Sequence, residues 1–118
     1  MGTPAFLLGL SFLLAHELDA VRCHEWRMFP GLSALSDRWG LRLFLLLHVP
    51  LLYLLIGAVA AGPGPKLVVA LDLFFVVHLG LHLLFLRHPK NEFRDALSWT
   101  LIVGAALGGG IDLLLQMA

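Results

Sequence analysis

The chain is poor in charge. Asp, Glu, Lys and Arg together make up 14% of its 118 residues, where a soluble domain of this size carries about a quarter. Hydrophobic residues reach 59% and mean hydropathy is +0.89, so the apolar excess needs lipid rather than a larger core. Cysteine is nearly absent. Cys23 stands alone, which excludes an internal disulfide framework. Net charge is absent too, with eight basic residues against eight acidic ones, and nothing points to nucleic acid. No basic n-region precedes the first apolar run, so Thr3 to Ala15 reads as a membrane helix and not as a cleaved signal peptide. No internal repeat and no low-complexity tract is visible. No serine or second cysteine is placed for covalent catalysis.

What is present is four apolar segments, at about 4–21, 41–61, 67–86 and 96–117. Each approaches the ~20 residues that a helix needs to cross a ~30 Å hydrocarbon core. Backbone groups in lipid must be satisfied within their own segment, so all four read as helices. The fold expected is all-α: one transmembrane four-helix bundle over residues 1–118. A polar helical extension of the first helix towards Trp26 is expected, then a break at Phe29-Pro30-Gly31. A short interfacial segment follows over 32–40. Gly62-Pro63-Gly64-Pro65 is a tight turn. Lys90 or Asn91 precedes the fourth helix, with Glu92 and Asp95 in its first turn.

Orientation follows from the basic residues. Arg22, Arg27, Arg38, Arg42, Arg87, Lys90 and Arg94 flank the first and third connections, and only Lys66 lies on the other side. That bias predicts cytoplasmic connections there and both termini outside.

The chemistry is concentrated in His16-Glu17-Leu18-Asp19-Ala20-Val21-Arg22-Cys23-His24-Glu25-Trp26-Arg27. Ionisable groups at membrane depth are costly and mark function or a paired network. At about 1.5 Å of rise per residue, His16 lies about 9 Å inside Arg22 and His48 about 9 Å inside Arg42. His82 and His78 lie about 8 and 13 Å inside Arg87 on the same measure. Three helices thus deliver histidines to one slab. His78 and His82, spaced i, i+4, share a helix face. Continued as a helix, the first segment gathers His16, Glu17, Asp19, Ala20, Cys23, His24 and Arg27 within roughly 160° and turns Glu25 away.

Imidazole plus carboxylate suits zinc or iron, as one ion or two. The candidate ligands are His16, His48, His78, His82, Glu17, Asp19 and His24. Glu17 and Asp19 are also the candidate acid and base. Hydrogen-bonded structural histidines are the plain alternative, most of all for His48. His88, in a turn, falls outside the site. Asp72 and Asp112, in the outer halves of the third and fourth helices, have no basic partner in view and are expected to bond each other. Glycines 104, 108, 109 and 110 permit close helix approach. Trp26, Trp39 and Trp99 fit an aromatic belt.

The HELDAxxxHEWR stretch resembles a family of small bacterial four-helix membrane proteins classed as a domain of unknown function. His48-Val49-Pro50, His78-Leu79-Gly80-Leu81-His82 and Arg87-His88-Pro89-Lys90-Asn91-Glu92-Phe93 extend the match over nearly the whole chain. The resemblance implies a bacterial inner-membrane location. It also implies a site built from His16, Glu17, Asp19, His24, Glu25, Trp26, Arg27, His48, His78 and His82. It implies no activity. A looser likeness, with different spacing, is to sterol-isomerase-like four-helix domains.

Three functions are consistent with these residues. The first is a metal-dependent hydrolase or oxidase acting on a lipid or other apolar small molecule from the cytoplasmic leaflet. The second is a metal-free acid–base isomerase or cyclase of isoprenoid type. The third is a non-enzymatic haem- or metal-binding subunit of a membrane complex. A bundle this small also suits a homo-oligomer or a partner membrane subunit.

Overall fold

The structure is a computed structural model that describes residues 3–118; residues 1 and 2 of the single domain read from the sequence lie outside it. Four α-helices follow one another: α1, Pro4–Arg22; α2, Asp37–Ala60; α3, Pro65–Leu84; and α4, Ala96–Met117. All four are long and apolar enough to cross a membrane, and no strand occurs among the described residues.

The helix boundaries have local causes. Thr3 caps α1, its hydroxyl accepting from the Phe6 N–H at 3.1 Å, with Pro4 at the first helical position where a missing N–H costs nothing. Ser36 caps α2 by accepting from the Trp39 N–H at 3.5 Å, which starts that helix four residues before the apolar run at Leu41. Asp95 caps α4, accepting from the Ser98 N–H at 2.9 Å. Neither Lys90 nor Asn91 is the cap. Asn91 instead closes its own turn, accepting from the Phe93 N–H at 3.0 Å.

The expected helical extension towards Trp26 does not form. α1 ends at Arg22, and His24 takes a left-handed conformation with φ of 53°. A short 3-10 turn, Glu25–Arg27, then folds back beneath the helix. Arg27 fixes it, donating to Asp37 at 2.5 Å and to Glu92 at 3.1 Å. These bonds hold the first and third connections together at one end of the molecule. Trp26 is buried rather than placed in an interfacial belt. Its indole lies on Gly40, where an added Cβ would come within 2.5 Å of the ring, and its N–H reaches Asp37 at 3.3 Å.

The helices do not pack equally. α4 lies along both α1 and α3, while α2 approaches mainly the 3-10 turn Glu25–Arg27 and a second one, Leu32–Ala34. The close pairing rests on glycine. A Cβ on Gly108 would sit 2.5 Å from the Gly9 Cα, and one on Gly109 would sit 2.9 Å from the Asp72 carbonyl oxygen. Backbones in contact gain dispersion and leave no room for a side chain. Two apolar cores result. One, at the connection end, includes Trp26, Phe44, Phe93 and Ile102. The other, towards the termini, includes Phe6, Leu10, Phe75 and Ala105. α2 buries little beyond Gly40 and Phe44. Leu43, Leu45, Leu46, Leu47, Leu51 and Leu54 stay exposed, while Leu41 and Leu55 pack against the two cores.

Candidate metal centre

His16, His78 and His82 come together between α1 and α3, each offering a ring nitrogen within 4.8 Å of the others. Their ring centroids stand 4.6, 4.9 and 4.6 Å apart. The i, i+4 spacing on α3 turns His78 and His82 to one side, and their Nε2 atoms approach to 3.2 Å. Nitrogens about 2.0–2.1 Å from a tetrahedral ion would be about 3.3 Å from each other. The His78–His82 spacing is therefore close to that of two ligands on one centre.

His16 carries the argument. It is completely buried, and neither Nδ1 nor Nε2 has a hydrogen-bond partner among the described residues; His78 Nδ1 also lacks one. Each unsatisfied buried polar atom costs about 1–3 kcal/mol. Neutral imidazole always carries one lone pair and one N–H, so two idle nitrogens on a buried ring mark a position that something else completes. A cation facing the lone pairs of three imidazoles would complete one nitrogen of each ring, and the remaining His16 N–H would still need an acceptor.

The surroundings shape access. Phe93, in the connection before α4, packs its ring against the triad, tilted at 5.3 Å from His16 and edge-on at 4.7 Å from His82. Sequence reading missed this residue, because its turn is fixed by Asn91 and not by any helical pattern. A cleft of about 300 Å³ borders His78 and His82, walled by α2, α3 and the turn after α1. Its walls are apolar, with Phe44, Phe74 and Phe85 among them, and His48, His78, His82, Glu17 and Glu25 reach it as well.

Glu25 is the second residue that sequence reading misplaced. The left-handed His24 reverses the chain and brings the Glu25 carboxylate back to 4.0 Å from His16 Nε2. Continued helical periodicity turns it away; the one available signal was its place in the HEWR motif. Burial, with the neighbouring negative charge of Glu17, pushes its carboxyl up to about 8, against a smaller opposing effect of His48. A cation in the triad would lower the cost of its ionised form.

His48 reaches the cleft from α2 without joining the triad. Its Nδ1 lies 2.6 Å from the Phe44 carbonyl oxygen and its Nε2 lies 2.6 Å from Glu17 Oε2. A carbonyl only accepts, so Nδ1 carries a proton. The short approach of Nε2 to a carboxyl oxygen then requires a second proton on the ring or one on Glu17. The pair is a proton-sharing unit on the cleft wall.

Asp19 and His24, also candidates from the sequence, are not brought to the triad. Asp19 accepts from Arg22 Nε at 2.6 Å and from the Ser98 hydroxyl at 2.5 Å. Both its oxygens are thereby used, one within α1 and the other in joining α1 to α4. His24 faces Glu92 at 2.9 Å on the surface of the connections. Cys23 is buried beside Ser98, and burial pushes its thiol up, away from the thiolate that would bind a metal. His88 stays in its turn, where Nδ1 accepts from the Lys90 N–H at 3.0 Å.

Over residues 3–118 the chain matches the model of a family of unknown function (DUF6713), and it belongs to that family. Neither a curated protein nor a solved structure matches it.

Proposed function

We propose that this is a metal-binding integral membrane protein, and that it is a metal-dependent enzyme, a hydrolase or oxidase, acting on a lipid or another apolar small molecule. The observation that supports the reading best is fully buried His16, with both ring nitrogens unpartnered at the centre of a three-histidine cluster. His16, His78 and His82 would hold zinc or iron. Three imidazoles leave a fourth position for water or substrate, and an ion so held supplies Lewis-acid chemistry there.

The chain's own residues divide the remaining work. Phe93 excludes water from one side of the triad. The aromatic walls of the cleft receive an apolar substrate from between α2 and α3. Glu25, 4.0 Å from His16, is placed to orient that imidazole or to move a proton at the fourth position. The Glu17–His48 pair holds a further proton across the cleft. Its placement favours a second reading, metal-free acid–base isomerisation by the same pair.

The basic bias of the connections supports a site in the cytoplasmic half with both termini outside; the bacterial inner-membrane location in this reading rests on the family resemblance alone. Metal per chain, measured on wild type, His82→Ala and His88→Ala purified identically, separates the two readings. A stoichiometric ion in wild type and His88→Ala, lost in His82→Ala, is the expected result. Equal occupancy in all three, or none in wild type grown with zinc and iron, would leave the acid–base reading.

A further inference from the structure

A second polar cluster lies at the opposite end of the bundle. Asp72 on α3 and Asp112 on α4 are both 0% exposed, and their carboxyls are brought together around one amide nitrogen, that of Gln116. The Gln116 amide, one turn along α4, donates to Asp72 Oδ2 at 3.2 Å and to Asp112 Oδ2 at 2.7 Å. The Thr3 hydroxyl donates to Asp112 Oδ1 while it caps α1. Asp112 therefore has a donor on each oxygen. Asp72 Oδ1 has none among the described residues.

Ionised carboxylates only accept hydrogen bonds. Two of them face to face repel, and between apolar helices the repulsion is weakly screened. The neutral groups Gln116 and Thr3 cannot supply the missing charge. No described arginine, lysine or histidine on α1, α3 or α4 pairs with either aspartate; each finds only the other as a charged neighbour. A single proton resolves both defects. It removes one of the two charges, and it converts a contact between acceptors into a hydrogen bond.

We infer that Asp72 and Asp112 form a proton-binding site that holds one proton between them and ties α3 to α4 and to the start of α1. Asp72, whose Oδ1 lacks a donor, carries the proton, and Asp112 accepts. The proton is favoured over a metal cation by two features. The Gln116 amide hydrogens point at both carboxyls, where a cation would meet their partial positive charge. The backbones are also tightly packed there, with Gly109 directly against the Asp72 carbonyl and the Phe75 side chain. The site is independent of any ion at the histidines.

Infrared spectroscopy reads the proton directly, through the C=O stretch that a carboxyl group shows only when protonated. The full chain is prepared in lipid vesicles at neutral pH, with and without carbon-13-labelled aspartate. The other aspartates, Asp19, Asp37 and Asp95, each face an arginine, so a protonated aspartate signal belongs to this pair. The expected spectrum has a protonated-carboxyl band that moves on aspartate labelling, survives Glu25→Gln and is lost in Asp72→Asn. The labelled wild type decides the matter even if the variant fails to fold. Absence of a label-sensitive band would overturn the proposal. So would a band that sodium or potassium removes at constant pH, which would make the pair a cation site.

Discussion

The two ends of this bundle solve the same problem differently. Each buries polar side chains where water is scarce. At the aspartate end nearly every polar atom is used: Gln116 and Thr3 serve the carboxyls, and glycine backbones close the space around them. At the histidine end three ring nitrogens are idle, and the cluster borders a cleft of about 300 Å³. A closed, nearly satisfied cluster holds helices together. An open cluster with unused lone pairs has capacity for something that enters and leaves. The contrast is what supports the chemistry proposed for the histidines and the clamp proposed for the aspartates.

The strongest way to break that contrast is to remove the central histidine. His16→Ala should abolish stoichiometric metal, whereas Asp72→Asn and Asp112→Asn should retain it. Elemental analysis of the three purified variants is the check, and loss of metal with either asparagine would place the ion at the wrong end. A smaller effect is expected from Glu25→Gln, which keeps the shape of the side chain that lies 4.0 Å from His16. If Glu25 orients the imidazole, metal affinity should fall about 10–100-fold without vanishing. Competition with a chelator of known affinity measures this, and unchanged affinity would remove Glu25 from the site. The smallest effect on metal should come from Asp19→Asn. That change weakens the bond to Arg22 within α1 and the bond to Ser98 that joins α1 to α4. Stability should drop by about 1–3 kcal/mol with metal content unchanged, read by thermal unfolding beside elemental analysis.

The sequence shows the i, i+4 pair and the shared depth of His16 with it, and those three residues do meet in the structure. It does not show that Asp19 is spent on Ser98, because Ser98 lies 79 positions away. Nor does it show Phe93 against the triad. Glu25 is the clearest case. A helical wheel turns it from the site, yet one left-handed residue, His24, reverses its direction.

Composition and run length alone determined four apolar helices, their approximate limits and the clustering of ionisable residues near the connections. Those properties follow from local physics: a backbone in lipid must bond within its own segment, and its length must match the hydrocarbon. Which polar groups are satisfied and which are left idle was decided only by the tertiary structure. Satisfaction depends on partners from other helices, and those partners are set by where glycines let backbones touch and where a turn breaks the helical period.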